Sequence, residues 1–192
     1  MQTVNYLIVE LTKAYNNEVD VSTGDSVIVN STIEDVAYVK RIATVKSAPD
    51  FVVLEAGDEV VVHHNIFRLR NDIKGATVDS NFYIGDNLYF VPLTEVFMYK
   101  RGDSGWKTLS PFCFVEPIIK EEKEGFDLSL TESTFKGRLK RVGKIKYPND
   151  ELIAQGIQEG DKVLFTKNSE YEFEIDGTIY YKMSTKDILM KL

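Results

Sequence analysis

Few side chains in this sequence are placed to do covalent or metal chemistry. The only histidines, His63 and His64, are neighbours in the chain. Adjacent side chains on a strand point to opposite faces, so this pair cannot readily chelate one metal and reads as a surface pair at a strand end. The single cysteine, Cys113, sits in the apolar run "SPFCFVEP" and reads as a buried, inert thiol. One cysteine allows no internal disulfide, which fits a reducing, cytoplasmic setting. The run Glu121-Glu122-Lys123-Glu124 is a solvated loop flank. The sequence has no Walker loop, no Gly-x-Gly-x-x-Gly and no Cys-x-x-Cys. The expectation is a protein with no enzymatic activity, no metal and no cofactor, whose work is binding.

Two polar stretches carry apolar residues that could do such work. In "TKAYNNEVDVSTGDSVIVNSTIED", residues 12–35, the triplet Val27-Ile28-Val29 follows Gly24-Asp25-Ser26. It is either a strand of the fold or an anchor that orders on binding, at an entropic cost that limits affinity. In "KEEKEGFDLSLTESTFKG", residues 120–137, the first part is heavily charged. Phe126, Leu128 and Leu130 then alternate, so they share one face if the chain is extended. They form either a solvated sheet edge or a second anchor.

The elements that must carry these stretches read as β-strands. Among 192 residues, 43% are hydrophobic, and there are 11 Phe and 10 Tyr. Aromatic and β-branched side chains suit a pleated, half-buried surface. Period-2 and short apolar runs predict strands at Tyr6–Val9, Val36–Val45, Phe51–Leu54, Glu59–Val62, Asn81–Pro92 and Val96–Tyr99. They predict further strands at Phe112–Ile119, Gly137–Val142, Lys162–Thr166, Tyr171–Asp176 and Thr178–Met183. The one helix candidate is Asn149–Gln155, ending at Gly156. The fold class is therefore all-β. The net charge of -7 argues against a nucleic-acid surface, which needs a clustered basic face. No apolar run approaches the ~20 residues that span a bilayer, and the N-terminus lacks the basic and small-residue marks of a signal peptide.

The strands are written twice. Gly57-Asp58-Glu59-Val60-Val61 matches Gly160-Asp161-Lys162-Val163-Leu164, and Asn65 matches Asn168 in the same register. Phe82, Ile84, Tyr89 and Thr94 meet Phe173, Ile175, Tyr180 and Thr185. Upstream, Val9-Glu10 matches Val115-Glu116. The matches are collinear, which indicates an internal duplication with domains at residues 1–103 and 104–192. Their junction, Tyr99 to Pro111, is rich in Gly and polar residues and reads as a short linker. Trp106 within it reads as a hydrophobic plug where the domains touch. The first half has extra residues around "RLRNDIKGATVDSN".

The second half resembles the bacterial co-chaperonin GroES, the ring-shaped lid of the GroEL chaperonin. The resemblance rests on Lys136-Gly137-Arg138-Leu139-Lys140-Arg141-Val142-Gly143, Glu159-Gly160-Asp161-Lys162-Val163, Ile175-Asp176 and Asp187-Ile188-Leu189, in that order. It covers most of residues 107–192. The first half is more divergent, with Ile84-Gly85 and Glu95-Val96-Phe97 at the last two places.

The resemblance implies two tandem GroES-like irregular β-barrels, each with a long mobile loop after its first strand. It implies that the loop anchors, Val27, Ile28 and Val29 and then Phe126, Leu128 and Leu130, dock on an ATP-bound GroEL-type chaperonin. It further implies a homo-oligomeric ring that encloses an unfolded client. A family ring has seven places, which two-domain chains cannot fill evenly; the tandem co-chaperonins of plastids are a precedent. It also implies a roof hairpin, for which "KSAPDFVVLEAGDE" leaves little room and Gly143–Glu159 enough. Zinc alcohol dehydrogenases carry a similar domain but require a Rossmann domain, for which this chain is too short. The alternative is a structural or assembly protein, for instance of a virion, that reuses the barrel.

Overall fold

The computed structural model describes residues 3–15, 18–20, 26–28, 36–119 and 138–192. The chain divides into two compact units, Met1–Trp106 and Lys107–Leu192.

The first unit is built from β1 (Tyr6–Glu10), β2 (Glu18–Asp20), β3 (Ser26–Ile28), β4 (Ile42–Ser47), β5 (Glu59–Val62), β6 (Arg70–Asn71), β7 (Thr77–Val78), β8 (Tyr83–Gly85), β9 (Leu88–Pro92) and β10 (Val96–Lys100). Its main sheet runs β10-β5-β4-β1-β9-β8, with antiparallel neighbours. Among the described residues β2 pairs only with β3, and β6 only with β7, as separate two-stranded ribbons. In β9, "LYFVP", burial alternates, as a strand with one covered face requires. In β5 the valines 60, 61 and 62 are all buried, because this central strand is covered on both faces.

The second unit comprises β11 (Lys107–Thr108), β12 (Phe112–Ile119), β13 (Arg138–Tyr147), α1 (Asp150–Ala154), β14 (Lys162–Phe165), β15 (Tyr171–Ile175), β16 (Thr178–Ser184) and β17 (Ile188–Lys191). Its main sheet runs β17-β14-β13-β12-β16-β15. That is the strand order of the first unit, position for position. A 3₁₀ turn precedes the last strand in both units, at Leu93–Glu95 and Thr185–Asp187. Cys113, Val115, Ile145, Leu152, Val163, Phe165, Tyr181 and Met183 form a buried core. Phe114 stands edge-on to Phe173 at 5.9 Å between ring centroids, a favoured aromatic geometry.

The likeness extends to single hydrogen bonds. Gly57 N–H donates to Val45 O and Gly160 N–H to Ile145 O, at 2.9 and 2.8 Å. In return Val45 N–H reaches Asp58 O and Ile145 N–H reaches Asp161 O. Both turns place glycine at positive φ, +95° and +88°, where a Cβ would be strained. The register slips at Ile8/Val9 where β1 meets β4, and at Phe114/Val115 where β12 meets β13, so a bulge falls at matching residues.

Five expectations need correction. Phe51–Leu54 is not a strand but a turn, with Val52 N–H on Pro49 O. Both sides of β5 are already taken by β4 and β10, so this apolar run finds no ladder to join. Val36–Val45 splits into a 3₁₀ turn at Val36–Tyr38 and a strand that starts only at Ile42. Asn81–Pro92 is broken into a hairpin by Asp86 and Asn87, both at positive φ, the backbone of a tight strand-joining turn. Gly143–Glu159 forms no roof hairpin. β13 continues through Tyr147, and the chain then turns through α1, capped by Asn149. Nor, among the described residues, do the sheets close into barrels: β15 and β17 stand at opposite ends of the second sheet, each paired on one side.

Candidate functional site

The two polar stretches lie, along the chain, between equivalent strands of the two sheets. Each connects the two central antiparallel strands, β1 to β4 and β12 to β13.

In the second unit the connection is pinned where Ile119 pairs with Arg138. Ile119 is 72% exposed, so apolar surface already begins at this root. Arg138 is held by three contacts. Its guanidinium forms an ion pair with Glu172, donates to the Tyr181 hydroxyl at 3.4 Å and lies 5.8 Å from that ring's centroid. The Tyr181 hydroxyl and Glu172 both favour its charged form and raise its pKa. An arginine that cannot lose its proton, locked from β15 and β16, fixes where the connection leaves the sheet. Phe126, Leu128 and Leu130 lie outside the described residues.

In the first unit the neck is longer. Leu11 N–H donates to Asn87 O, and Lys40 N–H to Ala14 O at 2.8 Å. Tyr15 and Val39 form an isolated bridge beyond them. Tyr15 is buried, and its hydroxyl accepts from Leu69 N–H at 3.2 Å; burial raises its pKa. The β2–β3 ribbon lies further out along the same connection. Val27 pairs with Val19 and Ile28 with Glu18, while Val29 lies outside the described residues. The first two residues of the triplet are thus in a strand, but in a separate ribbon rather than the main sheet.

The residues that fix the roots, Tyr15 and Arg138, were not singled out as functional from sequence. Arg138 lies within the quoted motif beside Gly137. Nothing in the local sequence marks Tyr15, whose partner Leu69 is distant in the chain.

The histidines differ from expectation. β5 ends at Val62 and a 3₁₀ turn spans His64–Ile66, so the rings do not diverge. Their centroids lie 4.2 Å apart, and His63 Nδ1 accepts from Asn65 N–H at 3.2 Å. Burial, with the positive charges of His63, Arg41 and Arg68, pushes His64 down to about 4. Among the described residues no group of three or more His, Cys, Asp or Glu is placed to hold a metal ion. Cys113 is fully buried opposite Met183, and burial pushes its thiol up to about 12. Among the described residues no helix is long and apolar enough to cross a membrane.

Comparison with known proteins places these strands in a family. The model of the chaperonin 10 kDa subunit, Cpn10, matches residues 128–192, which contain β13 through β17. The co-chaperonin GroES of Brevibacillus brevis is 33% identical over 88 residues, covering 43% of this chain and 94% of that protein. The co-chaperonin GroES of Rhodothermus marinus is 34% identical over 87 residues, 43% of this chain and 87% of its own length. That of Thioalkalivibrio sulfidiphilus is 40% identical over 62 residues, 32% of this chain and 65% of its own. With nearly the whole length of such relatives aligned to one part of it, the chain belongs to the GroES co-chaperonin family.

Proposed function

We propose that this protein is a co-chaperonin that caps the ATP-bound state of a GroEL-type chaperonin and encloses an unfolded client. The observation that carries the reading is the near-complete alignment with Brevibacillus brevis co-chaperonin GroES. The pinned connection between β12 and β13 supports it, because a long polar excursion from two central strands is what a docking loop requires. The anchors are Phe126, Leu128 and Leu130 in the second unit and Val27, Ile28 and Val29 in the first. Each would pay its ordering entropy on binding and be weak alone; many presented together bind through avidity. The protein would contribute preferential affinity for one chaperonin state, with no catalysis of its own.

We also read the first unit as a divergent copy of the second, so that one chain carries two GroES-like domains. The common strand order, the bulges at matching residues and the paired Gly-Asp turns support this. Chains would assemble into a homo-oligomeric ring, whose stoichiometry a native mass measurement would give.

Assisted refolding of a denatured client, with ATP and a panel of GroEL-type chaperonins, tests the function. Wild type should raise client yield and alter chaperonin ATPase, and Leu128→Asp should abolish both. Ile28→Asp reports whether the first connection also grips. No effect of wild type on yield or ATPase with any chaperonin would sink the proposal. A structural role, as in a virion shell, is the second reading. The lack of a roof hairpin at Gly143–Glu159 favours it, and a stable oligomer indifferent to every chaperonin would establish it.

A further inference from the structure

The first unit carries a segment with no counterpart in the second. Between the 3₁₀ turn at His64–Ile66 and β8, the chain makes the β6–β7 ribbon, with Arg70 opposite Val78 and Asn71 opposite Thr77. The ribbon is a built feature. At its tip Asp72 Oδ1 accepts from Lys74 N–H and Ala76 N–H at 2.8 and 2.9 Å. At its root Leu69 N–H is fixed on the buried Tyr15 hydroxyl. Ser80, also buried, accepts from Phe82 N–H at 3.2 Å and donates to Asn65 O at 3.5 Å.

These contacts frame an open cavity of about 460 Å³, within the range of small-ligand sites. Arg68, Arg70, Asn65, Asn71 and Asn81 line it together with the apolar Leu69 and Phe82. Among the described residues no carboxylate lines it. Among the described residues neither Arg68 nor Arg70 has a carboxylate partner. In a chain of net charge -7, two uncompensated guanidiniums at one concave site are a local reversal of sign. Asp72 is occupied at the ribbon tip by backbone N–H groups.

We propose that this cavity binds a small organic phosphate. The phosphate would be taken by Arg68 and Arg70, since guanidinium forks match phosphate oxygens. The asparagine amides would add neutral donors, and the planar or apolar remainder of the ligand would lie on Phe82 and Leu69. The volume exceeds what a bare phosphate fills, which favours an organic ester over the inorganic ion.

Titration of the full chain by heteronuclear NMR tests this, with adenosine monophosphate, inorganic phosphate and citrate as probes. The monophosphate should saturate in the millimolar range or below, weaken with salt, and shift the backbone resonances of residues 65, 68–71 and 80–82. Arg68→Gln and Arg70→Gln should each weaken it about tenfold, the scale of one charged hydrogen bond. Lys74→Gln, on the same ribbon but outside the cavity, should change it less than twofold. Failure to saturate, shifts outside this residue set, or an equal loss in Lys74→Gln would overturn the site. Citrate binding as tightly as the monophosphate would overturn its preference for phosphate. The wild-type shift map decides the matter even if an arginine variant fails to fold. None of these readouts involves a chaperonin.

Discussion

The Gly-Asp turn offers a quantitative test, because the chain contains it twice in different surroundings. Asp58 is only 2% exposed. Its Oδ1 accepts from Arg101 Nε and its Oδ2 from Arg101 Nη2, both at 2.8 Å. Oδ2 also accepts from Glu55 N–H at 2.9 Å. Asp161 makes the same backbone contact, with Gln158 N–H at 2.8 Å. Its charge partner is a single Lys191 ammonium at 2.6 Å, with the carboxylate 21% and the lysine 48% exposed.

Removing one member of a fully buried ion pair costs about 3–5 kcal/mol. Arg101 keeps a wet face, at 44% exposure, and retains Glu55 and Val53 O. The loss for Asp58→Ala is therefore discounted to about 2–3 kcal/mol. For a unit near a hundred residues that lowers Tm by about 10 °C. Asp161→Ala should cost distinctly less, because its ion pair lies in solvent.

The sole tryptophan, Trp106, is buried at the end of the first unit with the Lys100 ammonium 5.0 Å from its ring. Its fluorescence therefore reports unfolding of that unit, and far-UV circular dichroism reports both. The pH dependence has a definite sign. Arg101, foremost through its hydrogen bonds, holds the Asp58 pKa below its ordinary 3.8. A depressed carboxylate contributes stability that is complete above its unfolded value and lost as pH falls through the lowered folded value. Wild type should thus lose more stability on acidification below pH ~4 than Asp58→Asn does. Equal Tm losses for the two alanine variants, or parallel acid profiles for wild type and Asp58→Asn, would refute the reasoning.

Three further outcomes follow from the second unit. A Cβ added at Gly143 would meet Val115 Cγ1 at 2.4 Å and the Glu116 carbonyl oxygen at 2.8 Å. Gly143→Ala should therefore destabilise by about 1–3 kcal/mol through overpacking, read in urea melts. Asn149 is buried; its Oδ1 caps Leu152 N–H at 2.9 Å, and its Nδ2 donates to Thr185 Oγ1 at 2.7 Å. Asn149→Ala should cost about 1–2 kcal/mol, from the lost cap and the lost bond to Thr185 Oγ1, which keeps its own bond to Pro111 O, with Asn149→Asp recovering the cap alone. Cys113 should resist thiol-alkylating reagents at pH ~8 in the folded protein and react fully in denaturant; fast labelling of native protein would contradict its burial.

The strands that could be read in advance were those with strong local signals. Phe112–Ile119 has the predicted bounds, and Glu59–Val62 follows a Gly-Asp turn that only a few residue types can make. Asn149 is recognisable as the start of the one α-helix among the described residues because a short polar side chain before an apolar run caps free N–H groups. The same logic failed at Phe51–Leu54, where propensity was high but no strand edge remained to pair with. It also failed at His63-His64, where alternation was assumed past the end of the strand.

Local pattern, then, specified the all-β class, the doubled order of strands and the places where the long connections leave. Those depend on period-2 burial and on backbone positions that only glycine or a polar turn residue occupies readily. The long-range partners were decided by tertiary structure alone. Arg101 closes on Asp58, Tyr15 receives Leu69, Arg138 locks to Glu172 and Tyr181, and Arg68 and Arg70 share a cavity with Phe82. Except for that cavity, these pairings join residues far apart in the chain. No periodicity encodes such pairings; they arise only when the sheet order brings separate strands to one place.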